Sequence, residues 1–596
     1  MLRKTAIALV LAAACGGGGN GNPDANGDGV AGGDPLDPSV QPPLDTDPSH
    51  YPANVWITDG MVKVHPDAAP GDVHWADLHA AKNESESFQV HVRAGASPIQ
   101  LTVSIGELVD ARSGKHIDAA HLLVSREAYL DITTLSDQNG TLGMTPDALI
   151  PSVDPYVQEP RNAFPVAVPA NETRSAWIDV LVPADAPSGY YTGAVTVTDG
   201  GTILATLPVR LAVWDFALPA TSTLRSGFGL SWNGLCVQAY GSYNACGAYP
   251  GSGNNPDKAI ELTHISEAVM WMDYRVSLAA DVYDMPHDND WTHFDALYGP
   301  LMDGTAPTRI PGAKLSHLWF TGDQTSATDL STWHAHFDAK GWSDRTSVYY
   351  CDEPPNGCSF AETRSKADFI HTSAPGLATL LTTDITEASA NDLLDRVDVM
   401  VPIVESMEAP GMASIRSQYD TWLAKPGKHL WWYQSCDEHE SCSNGTPGPK
   451  SSTWPSYMVD ATPVRNRVFQ WLAYLYKVEG ELYYDSDYCW DTTCGGQNDP
   501  WASIYAFGGN GDGTLFYPGT AAKIGGSTPV PVPSIRLALI RDGMEDYEYL
   551  HLAGGSEADA AIASFITNNY TFDNDPTKLQ AARLTLGNAL HKRAHP

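Results

Sequence analysis

The chain is short of positive charge. Its 596 residues carry 35 Lys and Arg against 71 Asp and Glu, a net charge of −36. A nucleic acid would be repelled, and so would an anionic lipid surface. Charged residues of both signs make up only 18% of the chain, below the usual ~25%. After the N-terminal stretch no apolar run is long enough to span a bilayer. CxxC and HExxH spacings are missing, and no metal or other cofactor is expected. A GxSxG elbow, a GxxxxGK[ST] loop and a GxGxxG after a strand are missing too. Their absence argues against serine-elbow hydrolysis, P-loop phosphate transfer and dinucleotide binding.

Hydrophobic residues make up 43% of the chain, enough for large cores, and the length suggests two to four domains. The 17 Trp and 26 Tyr are many for this length, and aromatic faces suit flat, partly apolar ligands such as sugar rings.

Residues 1–15 read as an export signal. Arg3 and Lys4 precede a short apolar stretch ending in Ala12, Ala13 and Ala14. Cys15 then fits a bacterial lipobox and would be the lipidated first residue; the same Ala12-x-Ala14 also fits plain signal cleavage. The expectation is a protein of the bacterial cell envelope or a secreted one, touching membrane only through that lipid. The other eight cysteines fall in close pairs: Cys236 and Cys246, Cys351 and Cys358, Cys436 and Cys442, Cys489 and Cys494. An exported protein keeps disulfides, and neighbour pairing is the simplest scheme.

Residues 16–50 are rich in Gly, Asn, Asp and Pro and read as a flexible linker. Asp24 to Asp28 resemble the start of a calcium loop but lack the distant bidentate Glu. Residues 51–218 alternate apolar and polar over short runs, which predicts an antiparallel β-sandwich. From 224 to 553 eight apolar strands alternate with helix-like segments. This predicts a (β/α)8 barrel. Residues 555–596 read as a helical C-terminal segment packed on the barrel.

Barrel active sites form at the C-terminal ends of the strands. The polar residues expected there are Trp232, Asp281, Asp352, Glu353, Asp384, Glu405, Trp432, Tyr433, Asp485 and Trp490, with Asp487 beside them. Carboxylates and aromatics dominate this set, and Lys and Arg are nearly absent. That combination suits glycoside hydrolysis, in which carboxylates do acid–base work and aromatics stack on sugars. Alternation along WWY places Trp432 opposite Trp431 and Tyr433. Asp437-Glu438 reads as a solvated pair. In Asp352-Glu353-Pro354, two adjacent carboxylates can share one site only where the strand breaks, and Pro354 favours such a break.

YYCDEPP (349–355) resembles the Asp-Glu-Pro motif of glycoside hydrolase family 123, the β-N-acetylgalactosaminidases. PSIRLALIRDGMEDYEYL (533–550) resembles the signature closing that family's barrel domain, and reads as structural rather than catalytic. ESESFQVHVRA (84–94), LAVWDFALP (211–219) and VDVMVPI (397–403) are similar to further landmarks. The resemblance covers about residues 53 to 553. It implies substrate-assisted retaining hydrolysis, with Glu353 as acid then base and Asp352 orienting the substrate's 2-acetamido group. The expected partner is a carbohydrate, a glycan or glycoconjugate. A hydrolase of another glycan, with Asp352 as nucleophile, and a non-catalytic surface carbohydrate-binding protein are the alternatives.

Overall fold

The computed structural model describes residues 34–242, 274–280, 285–286, 288–320, 326–436, 442 and 454–595. Cys15, Asp24 to Asp28, Cys246, Asp281 and Asp437-Glu438 lie outside the described residues.

Two sheets make up the N-terminal β-rich domain. One has five antiparallel strands in the order Val55–Asp59, Ser85–Arg93, Thr173–Leu181, Leu122–Ile132, Gly143–Pro151. The second has seven and is built around the long pair Gly189–Asp199 and Thr202–Ala217. Val90, Ile178, Val195 and Leu211, drawn from both sheets, lie in one core. The sandwich is not purely antiparallel, since Ala76–Lys82 runs parallel to Thr202–Ala217.

Eight parallel strands then form one sheet: β1 (Arg225–Leu230), β2 (Leu278–Ala280), β3 (Leu318–Phe320), β4 (Thr346–Cys351), β5 (Ala378–Leu381), β6 (Val399–Met400), β7 (His429–Tyr433) and β8 (Gly480–Tyr483). Their spatial order is β2-β1-β8-β7-β6-β5-β4-β3. The sheet is a nearly closed barrel. β2 and β3 are not joined by a ladder, and just before them Ser316 N–H donates to Ser277 Oγ at 2.8 Å. Among the described residues the helices are uneven, from fourteen residues in Phe360–Ser373 to four in Val404–Met407. Inward side chains of six strands, Trp319, Tyr349, Leu380, Val399, Trp431 and Leu482, pack into a small core inside the barrel. Gly480 leaves room for the Trp431 ring, which a Cβ there would strike.

Helix α1 (Ile535–Ala553) carries the RDGMEDYEYL segment and is buried along almost its whole length. Its charges tie it both to the sandwich and to the barrel. Arg541 donates to Asp179 at 2.8 Å and Ser87 at 2.7 Å, and Glu545 accepts from Arg275 at 2.8 Å. Asp546 accepts from Arg467 at 2.7 Å and Trp471 at 2.7 Å.

Two expectations about the chain ends need correction. Residues 34–50 are not a free linker. Tyr190 Oη donates to Leu36 O at 3.0 Å, Arg210 donates to Pro42 O at 2.9 Å, and Asp34 meets His591 at 2.9 Å. Backbone carbonyls thus dock a segment too polar to form a core. The C-terminal segment includes a short hairpin, and its helix α2 (Pro576–Ala594) packs on the sandwich strand Thr202–Ala217 as well as on α1.

Candidate active site

β4 ends at Cys351, and the next two residues are the acid pair. Glu353 has φ +39°, in the left-handed region that disfavours residues with side chains. That break turns the strand, and Asp352 and Glu353 both line one cleft. The turn is closed by Gly357 N–H to Asp352 O at 2.9 Å and Asn356 N–H to Glu353 O at 2.7 Å. Gly357 lies against the Asp352 carbonyl where a Cβ would clash. The Cys351–Cys358 disulfide brackets the turn, and Ser359 with Glu362 forms a capping box that starts the next helix.

The cleft is lined by Tyr349, Asp352, Glu353, Thr382, Tyr433, Ser435, Leu482 and Tyr484. Each carboxylate has its own hydroxyl donors. Tyr349 Oη donates to Asp352 Oδ1, and Thr382 Oγ1 donates to the same oxygen at 3.2 Å. Thr382 Oγ1 also accepts the Glu353 N–H at 2.7 Å, so one side chain ties the strained backbone to the neighbouring carboxylate. Tyr433 Oη, from the end of β7, donates to Glu353 Oε1. Burial, then the Asp352 charge, holds the Tyr349 phenol well above its usual pKa, so it stays a donor. This is a pair of adjacent acids with separately fixed orientations, a suitable layout for dividing one reaction between them.

Two family models match the chain. Residues 62–199 match the glycoside hydrolase 123 N-terminal domain, and residues 325–553 match the glycoside hydrolase 123 catalytic domain. The chain belongs to glycoside hydrolase family 123. Among solved structures, a family 123 glycoside hydrolase from Clostridium perfringens, studied for glycolipid glycan hydrolysis, superposes with a TM-score of 0.62 at 14% identity, covering 91% of this chain and 98% of its own. A family 39 glycoside hydrolase from Bacteroides cellulosilyticus WH2 reaches a TM-score of 0.29 at 10% identity, covering 79% of this chain and 82% of its own. That second likeness is too weak to carry an argument. No curated protein sequence matches the chain.

In this family 123 chain the structure gathers only part of the expected strand-end set. Asp352, Glu353 and Tyr433 meet in the cleft. Trp432 is fully buried on the opposite face of β7, stacked on Phe469 at 4.8 Å, and does not reach the site. Asp384 caps the helix Ile385–Ala390, accepting from Thr386 N at 2.7 Å and Glu387 N at 2.9 Å. Glu405 sits half-buried on the helix Val404–Met407, off the cleft lining. Trp490 is buried and donates to Phe516 O at 3.1 Å. Trp232 begins the helix Trp232–Tyr240, and its side chain lies outside the described residues.

Asp485 accepts the Ser486 and Asp487 N–H groups at 2.7 and 3.0 Å, and Asp487 accepts Ser231 N–H at 2.7 Å. Burial pushes Asp485 up to about 6, and burial with the Asp485 charge raises Asp487 well above the usual carboxylate range. The two shape the end of β8 behind the cleft. Sequence reasoning missed Tyr349, Thr382, Ser435, Leu482 and Tyr484. Tyr349 packs inside the barrel, but a register shift between Tyr349 and Cys351 breaks the alternation that would have linked it to the acid pair. The 436–442 and 489–494 pairs are also bonded, whereas Cys246 lies outside the described residues. Among the described residues no group of His, Cys, Asp and Glu could hold a metal ion, and no helix is long and apolar enough to cross a membrane.

Proposed function

We propose that this glycosidase releases terminal β-linked N-acetylhexosamine, N-acetylgalactosamine first, by substrate-assisted retaining catalysis. The observation that carries the reading is the separate anchoring of Asp352 and Glu353 in one cleft. A carboxylate nucleophile and an acid normally flank the sugar from about 5 Å apart. Neighbours on one turn fit another division of labour.

Asp352 accepts the acetamido N–H and orients the carbonyl oxygen toward the anomeric carbon. Glu353 protonates the glycosidic oxygen as its bond to that carbon breaks and the acetamido oxygen bonds to it. The intermediate is a bicyclic oxazolinium, with Asp352 balancing its charge. Glu353, now a carboxylate, takes a proton from water as the water oxygen attacks the anomeric carbon. The ring opens and configuration is retained. Tyr433 holds Oε1 of Glu353 and so orients the acid. The basic, apolar and Cys15 pattern, together with the disulfides, supports export to the bacterial envelope, by lipid anchor or plain secretion.

Matched chromogenic glycosides test the substrate class. β-N-acetylgalactosaminide should be cleaved fastest and β-N-acetylglucosaminide more slowly. The corresponding hexosides without the acetamido group should be left intact. Equal turnover of the plain hexosides would remove the acetamido group from the mechanism.

A further inference from the structure

Next to the cleft-lining Tyr484 stands a residue that its own turn disfavours. Tyr505–Ala506 pairs with Gly509–Asn510 in a hairpin, so Phe507 and Gly508 are the two loop residues. Both have positive φ, +48° for Phe507 and +88° for Gly508. A loop with both central residues left-handed favours Asn-Gly, because a bulky side chain at the first position is strained. Here that position holds Phe, and the residue is 39% exposed. Turn chemistry does not account for it.

Two tyrosine rings lie beside it. Phe507 lies 5.0 Å from Tyr488 and 6.0 Å from Tyr484, and Tyr484 lines the catalytic cleft. The hairpin is also held in place. Gly509 is seated on Met458 and on the Cys436–Cys442 disulfide, leaving no space for a Cβ. An exposed aromatic ledge therefore continues from the cleft wall on a fixed support.

We propose that Phe507, with Tyr484 and Tyr488, forms a binding site for the sugar ring on the leaving-group side of the scissile bond. The inference rests on the glycosidase reading above. A terminal N-acetylhexosamine seated in the cleft has one bond to the rest of the glycan. Whatever emerges at the mouth is thus the leaving group, and the cleft floor is closed by barrel residues such as Leu482. Phe507 has no polar side-chain atom. It recognises the C–H face of a pyranose rather than a particular hydroxyl pattern, which suits a ledge that accepts several second sugars.

The test uses Glu353→Gln protein, which binds without cleaving, and compares a β-N-acetylhexosaminyl disaccharide with the free N-acetylhexosamine by calorimetry. With Phe507 present the disaccharide should bind about tenfold more tightly. Phe507→Asn supplies the residue the turn prefers, so the hairpin is kept and only the ledge is lost. In that background the two sugars should bind equally, and Phe507→Trp should restore the preference. An unchanged preference in Phe507→Asn, or no preference to begin with, overturns the ledge. Turnover of the same disaccharide by the unmodified chain reports separately on the glycosidase reading. Turnover with no Phe507 effect sinks the ledge alone; neither binding nor turnover sinks both.

Discussion

Glu353→Gln should lose about 10²- to 10⁴-fold in turnover of natural glycans, which corresponds to about 3–5 kcal/mol of barrier. The amide keeps a carbonyl oxygen for the Tyr433 hydroxyl, so the site retains its shape while the transferable proton is gone. The loss should depend on the leaving group. A sugar alkoxide needs protonation as it departs, whereas an activated phenolate does not. Aryl glycosides with acidic phenols should therefore pass the first step nearly normally and stall at hydrolysis of the intermediate, where the base is missing. A small anionic nucleophile such as azide, which needs no base, should restore turnover of those substrates. Full activity of the variant on a natural glycan would remove Glu353 from the mechanism.

The second large effect is on stability. Asp147 lies on the sandwich strand Gly143–Pro151 and Arg536 on α1; neither is exposed to solvent. Arg536 donates to Asp147 through Nε at 3.0 Å and Nη2 at 2.9 Å. Its remaining donors reach Tyr457 O, Gly511 O and Thr514 O. Tyr517 Oη also donates to Asp147, at 2.7 Å. Asp147→Ala strands a buried cation at the seam between domains, and such a break costs about 3–5 kcal/mol. A two-domain chain need not unfold in one step. The variant should therefore be followed by protease susceptibility at the seam as well as by denaturant midpoint. A midpoint within about 0.5 kcal/mol of the parent, the level of an ordinary surface change, would contradict this role.

Much of the scaffold was legible because buried parallel strands read as uninterrupted apolar runs. The eight apolar runs expected between 224 and 553 each overlap one strand of the eight-stranded sheet. RDGMEDYEYL reads as structural, and its Asp542, Glu545 and Asp546 pair with buried arginines while Glu548 accepts from Thr223. Side-chain destinations at the strand ends were less legible. Asp384 follows β5 as expected, but the N–H groups of the next helix capture it. Trp432 and Tyr433 are neighbours that alternation sends to opposite faces, and only Tyr433 enters the cleft. Thr382 joins both carboxylate positions through one hydroxyl, a link that depends on the backbone turn at Glu353 and leaves no spacing signature. The docking of residues 34–50 was hidden for a related reason. It uses main-chain carbonyls, which composition does not report.

The most direct measurement is the fate of Asp352 in the presence of two inhibitors. A thiazoline analogue of N-acetylgalactosamine copies the bicyclic intermediate. If the substrate supplies the nucleophile, it should bind about 10²-fold more tightly than substrate, or better. A 2-fluoro glycosyl reagent should then leave Asp352 unmodified, and the 346–359 peptide should keep its native mass. Weak thiazoline inhibition together with a glycosylated Asp352 peptide would contradict the account, because the carboxylate rather than the acetamido oxygen would have attacked the sugar.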